Sequence, residues 1–122
     1  NLWGTQITDN GIKKIIGLKK MNSLNISDTQ IGDESITEFV KLPQLIDVKL
    51  FGTKITDKGV GSLSNCKNLR KINLSETSIT DAGLDQLSKL KSLLELEAYE
   101  TNITAQGAER FRKQLPACKL HY

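Results

Sequence analysis

The stretch LRKINLSETSITDAGLDQL (69–87) recurs along the chain with a fixed period. It is anchored on Thr77, which belongs to a column of five threonines, Thr5, Thr29, Thr53, Thr77 and Thr101, each 24 residues from the next with no insertion. Around them stand TQITDNG, TQIGDES, TKITDKG, TSITDAG and TNITAQG. Isoleucine follows each threonine by two positions, at Ile7, Ile31, Ile55, Ile79 and Ile103. Three positions ahead lie Leu2, Ile26, Leu50, Leu74 and Ala98; five ahead lie Leu24, Val48, Ile72 and Leu96; and eight ahead lie Met21, Leu45, Leu69 and Leu93. A fixed period of this length signals a stacked repeat architecture, because one such unit cannot bury its own apolar face.

Within a repeat, the pairs Leu24/Ile26, Val48/Leu50, Ile72/Leu74 and Leu96/Ala98 alternate with Asn25, Lys49, Asn73 and Glu97. Period two predicts a short strand with one buried face. After the Thr-x-Ile step, apolar residues fall at helical spacing: Ile12, Ile15, Leu18; Ile36, Phe39, Leu42; Val60, Leu63, Cys66; Leu84, Leu87, Leu90. Asp9, Asp33, Asp57 and Asp81 are placed as N-caps or first-turn carboxylates that accept free backbone N–H groups and complement the helix dipole. Each unit therefore reads as strand, turn and short helix. The threonine hydroxyls are expected to turn inward and satisfy backbone groups at the bend.

The pattern resembles the leucine-rich-repeat family, with its LxxLxLxxN/C-x-L core, over the chain from Leu2 to its end. The ITDxGL segment is similar to that of the cysteine-containing subclass and of related bacterial repeats, with Thr in place of Asn or Cys. Further departures are Gly32 for Thr, Ser35 for Gly, Ala98 for Leu and Ala105 for Asp. The resemblance implies an α/β fold, a right-handed solenoid with a concave parallel sheet and convex helices, and a role in binding other proteins. The ubiquitin-ligase role of cysteine-containing members is not carried over, since no F-box segment is present.

Composition narrows the function classes. The 122 residues are 38% hydrophobic and 25% charged, with a net charge of +3, six aromatic residues and no apolar run near the ~20 residues of a membrane span. So small a positive charge gives no support for nucleic-acid binding. No CxxC pair suggests zinc, and four aspartates in one register serve capping better than calcium. Cys66 reads as a core hydrophobe, and Cys118 lies too many strands away to bridge to it. One histidine, His121, does not assemble a nucleophile, base and oxyanion donor, so an enzyme is not expected, nor is a cofactor. The triplets starting at Asn25, Asn73 and Asn102 match a glycosylation acceptor but belong to the repeat. No signal peptide shows in the segment, and its compartment is left open.

Function is expected on the concave sheet, where Ser23, Asn25 and Ser27; Asp47, Lys49 and Phe51; Lys71, Asn73 and Ser75; and Glu95, Glu97 and Tyr99 face solvent. The third column runs Trp3, Ser27, Phe51, Ser75, Tyr99, which lays a 48-residue aromatic period over the 24. Strands at ~4.8 Å put successive aromatics roughly 10 Å apart. Such a row serves a protein partner as anchors. Alternatively it stacks sugar rings, packs over the loop edge, or records duplication of a two-repeat unit. The expected function is a non-enzymatic protein-binding module using this face. The alternatives are a carbohydrate-binding module, or a spacer or docking domain attached to an upstream functional domain. Lysines 13, 14, 19 and 20 and Arg110, Arg112 and Lys113 read as solvated convex surface.

At the ends, Leu2 begins mid-strand, so the first of the five registers is incomplete and its apolar end is expected to be covered by further chain or a partner. Residues 105–122 read as a C-terminal cap, with Leu115 replacing Gln114 in the core, Pro116 ending the helix and Lys119 to Tyr122 as an edge strand. The chain is thus expected to be the C-terminal part of a longer protein.

Overall fold

Seven-residue helices are too short to persist alone in water, so each of these must gain its stability from neighbours. The computed structural model describes residues 1–122. Its elements alternate along the chain: α1 (Asp9–Ile15), β1 (Ser23–Asn25), α2 (Asp33–Phe39), β2 (Asp47–Lys49), α3 (Asp57–Leu63), β3 (Lys71–Asn73), α4 (Asp81–Leu87), β4 (Glu95–Glu97), α5 (Ala105–Gln114) and β5 (Lys119–His121). The five strands form one parallel sheet in sequence order, β1-β2-β3-β4-β5. Register follows the 24-residue period without slippage, as in Leu24↔Val48↔Ile72↔Leu96↔Leu120. The result is a right-handed α/β solenoid with the sheet on its concave side and the helices on its convex side.

The apolar columns fill the space between sheet and helices. Thirty buried hydrophobic residues form one continuous core, with Ile31, Ile55 and Ile79 fully enclosed beside Phe39, Leu63 and Leu87. Full burial of each such side chain is worth roughly 1.5–3 kcal/mol relative to exposure. The threonine column behaves as the repeat predicts: each hydroxyl donates to the carbonyl three residues earlier at 2.5–2.7 Å, from Thr5 to Thr101. That bond closes the bend after the strand.

The residue before each threonine takes a left-handed backbone, at Gly4, Asp28, Gly52, Glu76 and Glu100, with φ between 53° and 66°. Glycine suits this conformation without steric cost, aspartate tolerates it, and Glu76 and Glu100 adopt it against their preference.

The aspartate column takes the second of its two expected places, the first helical turn, but its carboxylates bond elsewhere than expected. The N-caps are Thr8, Gly32, Thr56, Thr80 and Thr104, and the aspartates are the first helical residues. Each carboxylate leaves its own helix and reaches the cap of the next repeat. Asp33 accepts the N–H of Thr56 at 2.8 Å and its hydroxyl at 2.6 Å. Asp57 holds Thr80 at the same two distances, and Asp81 holds Thr104 at 2.8 and 2.7 Å. The threonine hydroxyl so anchored then accepts a helical N–H, from Lys58, Ala82 or Gly107. A carboxylate, a hydroxyl and a helix end thus form one relay across three of the four joints.

This relay accounts for three departures from the consensus. Gly32 offers Asp9 its N–H at 3.2 Å but has no hydroxyl, and Ser35 supplies one to the same Oδ1 from the position where other repeats have glycine. The hydroxyl has moved three residues along the helix while the carboxylate remains bonded. Ala105 opens α5, and the segment after that helix, residues 115–122, contains no helix N-cap for a carboxylate to hold.

Leu18 differs from expectation. It is 59% exposed, whereas its counterparts Leu42, Cys66 and Leu90 are at most 7% exposed, because no repeat packs on the outer side of the first. Residues 1–4 are not a regular strand, yet Leu2 and Gly4 donate to the carbonyls of Asn25 and Ser27 at the sheet edge. At the other end Leu115 is buried and Gln114 exposed, and the Arg112 guanidinium lies 5.3 Å from the Tyr122 ring centre. Cys66 and Cys118 are buried free thiols, both pushed up to about 11, chiefly by burial. No helix is long and apolar enough to cross a membrane.

Candidate functional site

Alternation along each strand turns one set of side chains inward and the other onto the concave surface. Two ladders result from the register: Ser23↔Asp47↔Lys71↔Glu95↔Lys119 and Asn25↔Lys49↔Asn73↔Glu97↔His121. Asp47, Lys49, Lys71, Asn73, Glu95 and Glu97 are brought together around a shallow hollow of about 150 Å³. Its centre is internally paired. Lys71 Nζ lies 2.9 Å from Glu95 Oε2, and Asn73 donates to Glu97. The hydrogen bond between Lys71 and Glu95 holds the ammonium above, and the carboxyl below, their ordinary ranges. Lys49 stands exposed beside them with no ion pair.

The third column divides by residue size. Trp3 is 63% and Tyr99 49% exposed, and Phe51 is half-buried. Ser27 and Ser75, expected to face solvent, are instead buried at 6% and 3%. The regular strand ends at Asn25 and Asn73, and the chain then bends toward the left-handed residue, so the alternation no longer carries these serines outward. Local bonds hold them: Asn25 and Asn73 accept the Ser27 and Ser75 N–H groups at 3.0 and 2.9 Å, and the Ser75 hydroxyl accepts the N–H of Tyr99 at 3.1 Å. Only the larger side chains in this column project, so the row presents aromatic rings over a serine floor.

Trp3 is held in place. Its indole N–H donates to Asp28 Oδ2 at 2.6 Å, and the two residues line a shallow cavity of about 280 Å³ with Asn25, Ser27 and Phe51. Tyr99 lies at the other end of the row, its ring centre 6.4 Å from that of His121 at a tilt of 31°. Asp28 and His121 are therefore parts of the surface that column reading left out. The glycines at 4 and 52 in the Asp28 column were the available signal, since they mark a bend at which Asp28 must share the backbone of a glycine. No group of His, Cys, Asp and Glu side chains is arranged to hold a metal ion.

The family model for the leucine rich repeat matches residues 17–40 and 65–88. Among solved structures, an internalin from Listeria monocytogenes aligns over 96% of this chain and 38% of its own, at 19% identity and a TM-score of 0.63. A leucine-rich-repeat protein of Leptospira interrogans aligns over 89% of this chain and 39% of its own, at 22% identity and a TM-score of 0.51. The chain spans about two-fifths of the length of either, and at these identities the likeness is one of fold. No curated protein sequence matches. Period, parallel register, inward threonines and the two matched repeats agree: the chain folds as a leucine-rich-repeat solenoid and carries repeats similar to those of that family.

Proposed function

We propose that this protein is a non-enzymatic binding module that engages a protein partner through its concave face, with Trp3 and Tyr99 as anchors and Phe51 between them. The observation that carries this reading is the state of Trp3: mostly exposed, yet fixed by a 2.6 Å bond to Asp28. A large ring already held in one orientation loses little freedom on binding, and Trp and Tyr are enriched among interface hot spots. The polar field behind the row, from Asn25 and Lys49 through Asn73 and Glu97, supplies directional groups on a rigid sheet. Asp47, Lys71 and Glu95 border it, while Ser27 and Ser75 serve as floor rather than contacts.

The test is capture of partners by the wild-type protein and by a Trp3→Ala/Tyr99→Ala variant shown to melt at the same temperature. Loss of one protein from the variant supports the reading. Equal capture by both overturns the aromatic site, and binding to glycans in an array without protein capture makes the module a carbohydrate binder.

A further inference from the structure

The cavity beside Trp3 has two aromatic walls and a single charge. Trp3, Asn25, Ser27, Asp28 and Phe51 line its volume of about 280 Å³, and none of them is basic. Asp28 is exposed and enters no ion pair. Its Oδ2 accepts the indole N–H of Trp3 at 2.6 Å, while Oδ1 is left without a hydrogen bond. That second oxygen lies beside Gly52, where an added Cβ would stand 2.5 Å from it. Gly52 thus keeps room for the carboxylate, and the indole fixes its orientation.

A carboxylate oxygen left free between two rings suits a cation. Aromatic faces attract an ammonium or guanidinium through the ring quadrupole, and the carboxylate adds charge-assisted hydrogen bonds. A neutral apolar anchor would gain the rings but would strip Oδ1 of water and offer it no partner. Asn25 contributes a different group. Its amide oxygen accepts the Ser27 N–H at 3.0 Å, and its NH2, unlike that of Asn73, has no acceptor in the protein and is free for a peptide carbonyl. The border of the aromatic row has the same sign as the cavity: Asp28, Glu76 and Glu100 are all exposed and none is in an ion pair. The net charge of +3 therefore conceals an acidic edge beside the rings.

We propose that this cavity takes the cationic side chain of an arginine or lysine carried by an extended, basic segment of a protein partner. The charged head meets Asp28 between Trp3 and Phe51, and the segment's backbone meets Asn25. The proposal rests on the concave-face reading and adds to it the chemistry of the partner.

The experiment follows the single indole N–H signal of the isotope-labelled protein by NMR during titration with two blocked tripeptides. One is Gly-Arg-Gly, and the other carries citrulline, a neutral group of nearly the same shape, in place of arginine. At about 0.15 M salt, where distant charges are screened, the arginine peptide is expected to move the signal saturably. It should bind at least about fivefold more tightly than the citrulline peptide. Asp28→Asn keeps an acceptor for the indole, tolerates the left-handed backbone and removes the charge, so it should weaken the arginine peptide about threefold or more. Glu34→Gln, the same charge change on the convex helix α2, should leave both peptides unaffected. The absence of a saturable shift, equal binding of the two peptides, or an arginine preference that survives Asp28→Asn overturns the cation site. Equal weakening by Glu34→Gln reduces the effect to diffuse attraction and overturns it as well. If the cation site fails while Trp3→Ala/Tyr99→Ala still loses its captured protein, only the partner chemistry is overturned. If that variant captures as well as wild type, the concave-face reading falls too.

Discussion

Asp57 and Thr80 belong to different repeats, yet they are bound by two hydrogen bonds, Oδ1 to the N–H at 2.8 Å and Oδ2 to the hydroxyl at 2.6 Å. Bonds to a charged group contribute more than neutral ones, typically about 1.5–3 kcal/mol each at best. Asp57→Ala removes both and leaves solvent to satisfy a half-buried N–H, so a loss of about 2–3 kcal/mol is expected in urea unfolding. Thr80→Ala removes the hydroxyl bond and the cap together. The double variant should lose clearly less than the sum of the two, because the pair shares one interaction. Full additivity would mean that the relay carries no coupling across the joint.

Gly83 separates joint geometry from helix propensity. Replacing a mid-helix glycine with alanine ordinarily stabilises by about 1 kcal/mol. Here the new Cβ meets Asp57 Oδ1 at 2.5 Å and pushes the carboxylate off Thr80. A net loss of about 1–2 kcal/mol is therefore expected for Gly83→Ala. Gly17→Ala, in the turn just beyond α1, is the open-space comparison and carries no helix-propensity gain: nothing lies within 4 Å of its added Cβ, and its effect should stay within about 0.5 kcal/mol. Equal behaviour of the two variants in thermal unfolding would remove the steric reason for the glycine column.

Acid should loosen the joint between the last two repeats. The Asp81 carboxyl is held below its ordinary value of 3.8, first by the N–H of Thr104, then by its hydroxyl, with Arg110 adding a smaller charge effect. A carboxyl lowered on folding adds stability that is fully present above the unfolded value and disappears as pH falls through the folded one. The difference in melting temperature between wild type and Asp81→Ala should thus be constant from pH 7 to about 5 and shrink below about 4. A difference that persists unchanged at pH 2 would show that the side chain acts through packing and not through its charge.

What was legible in the sequence follows from distance along the chain. The strand alternation, the threonine bend and the core columns depend on residues a few positions apart, so local rules found them at Leu24/Ile26 and at Thr29. The Asp33–Thr56 bond spans 23 residues, and capping rules, which look only within a helix, assigned the carboxylate to its own N–H groups. The paired exchange at Gly32 and Ser35 reads as two unrelated defects until Asp9 is seen between them. On the concave face, the columns were correct for Lys49 and Glu97 but failed at Ser27 and Ser75, where the strand has already ended. Trp3 was visible as an exposed ring; its bond to Asp28 was not, because that pair is 25 residues apart.

That bond makes the last prediction. Trp3 is the single tryptophan, so its fluorescence reports one site. Asp28→Ala removes the carboxylate and leaves alanine in a left-handed backbone that aspartate tolerates better. Both residues are exposed, so the expected stability loss is limited to that backbone strain, about 1 kcal/mol. Steady-state anisotropy of Trp3 is expected to fall as the ring gains rotamer freedom. Ordering such a side chain on binding costs about 0.5–1.5 kcal/mol, so affinity for a concave-face partner should drop by roughly 3- to 10-fold. Asp28→Asn, which keeps an acceptor oxygen for the indole, should recover most of the anisotropy. If anisotropy falls in Asp28→Ala while affinity stays constant, Trp3 is held for a reason other than binding at this face.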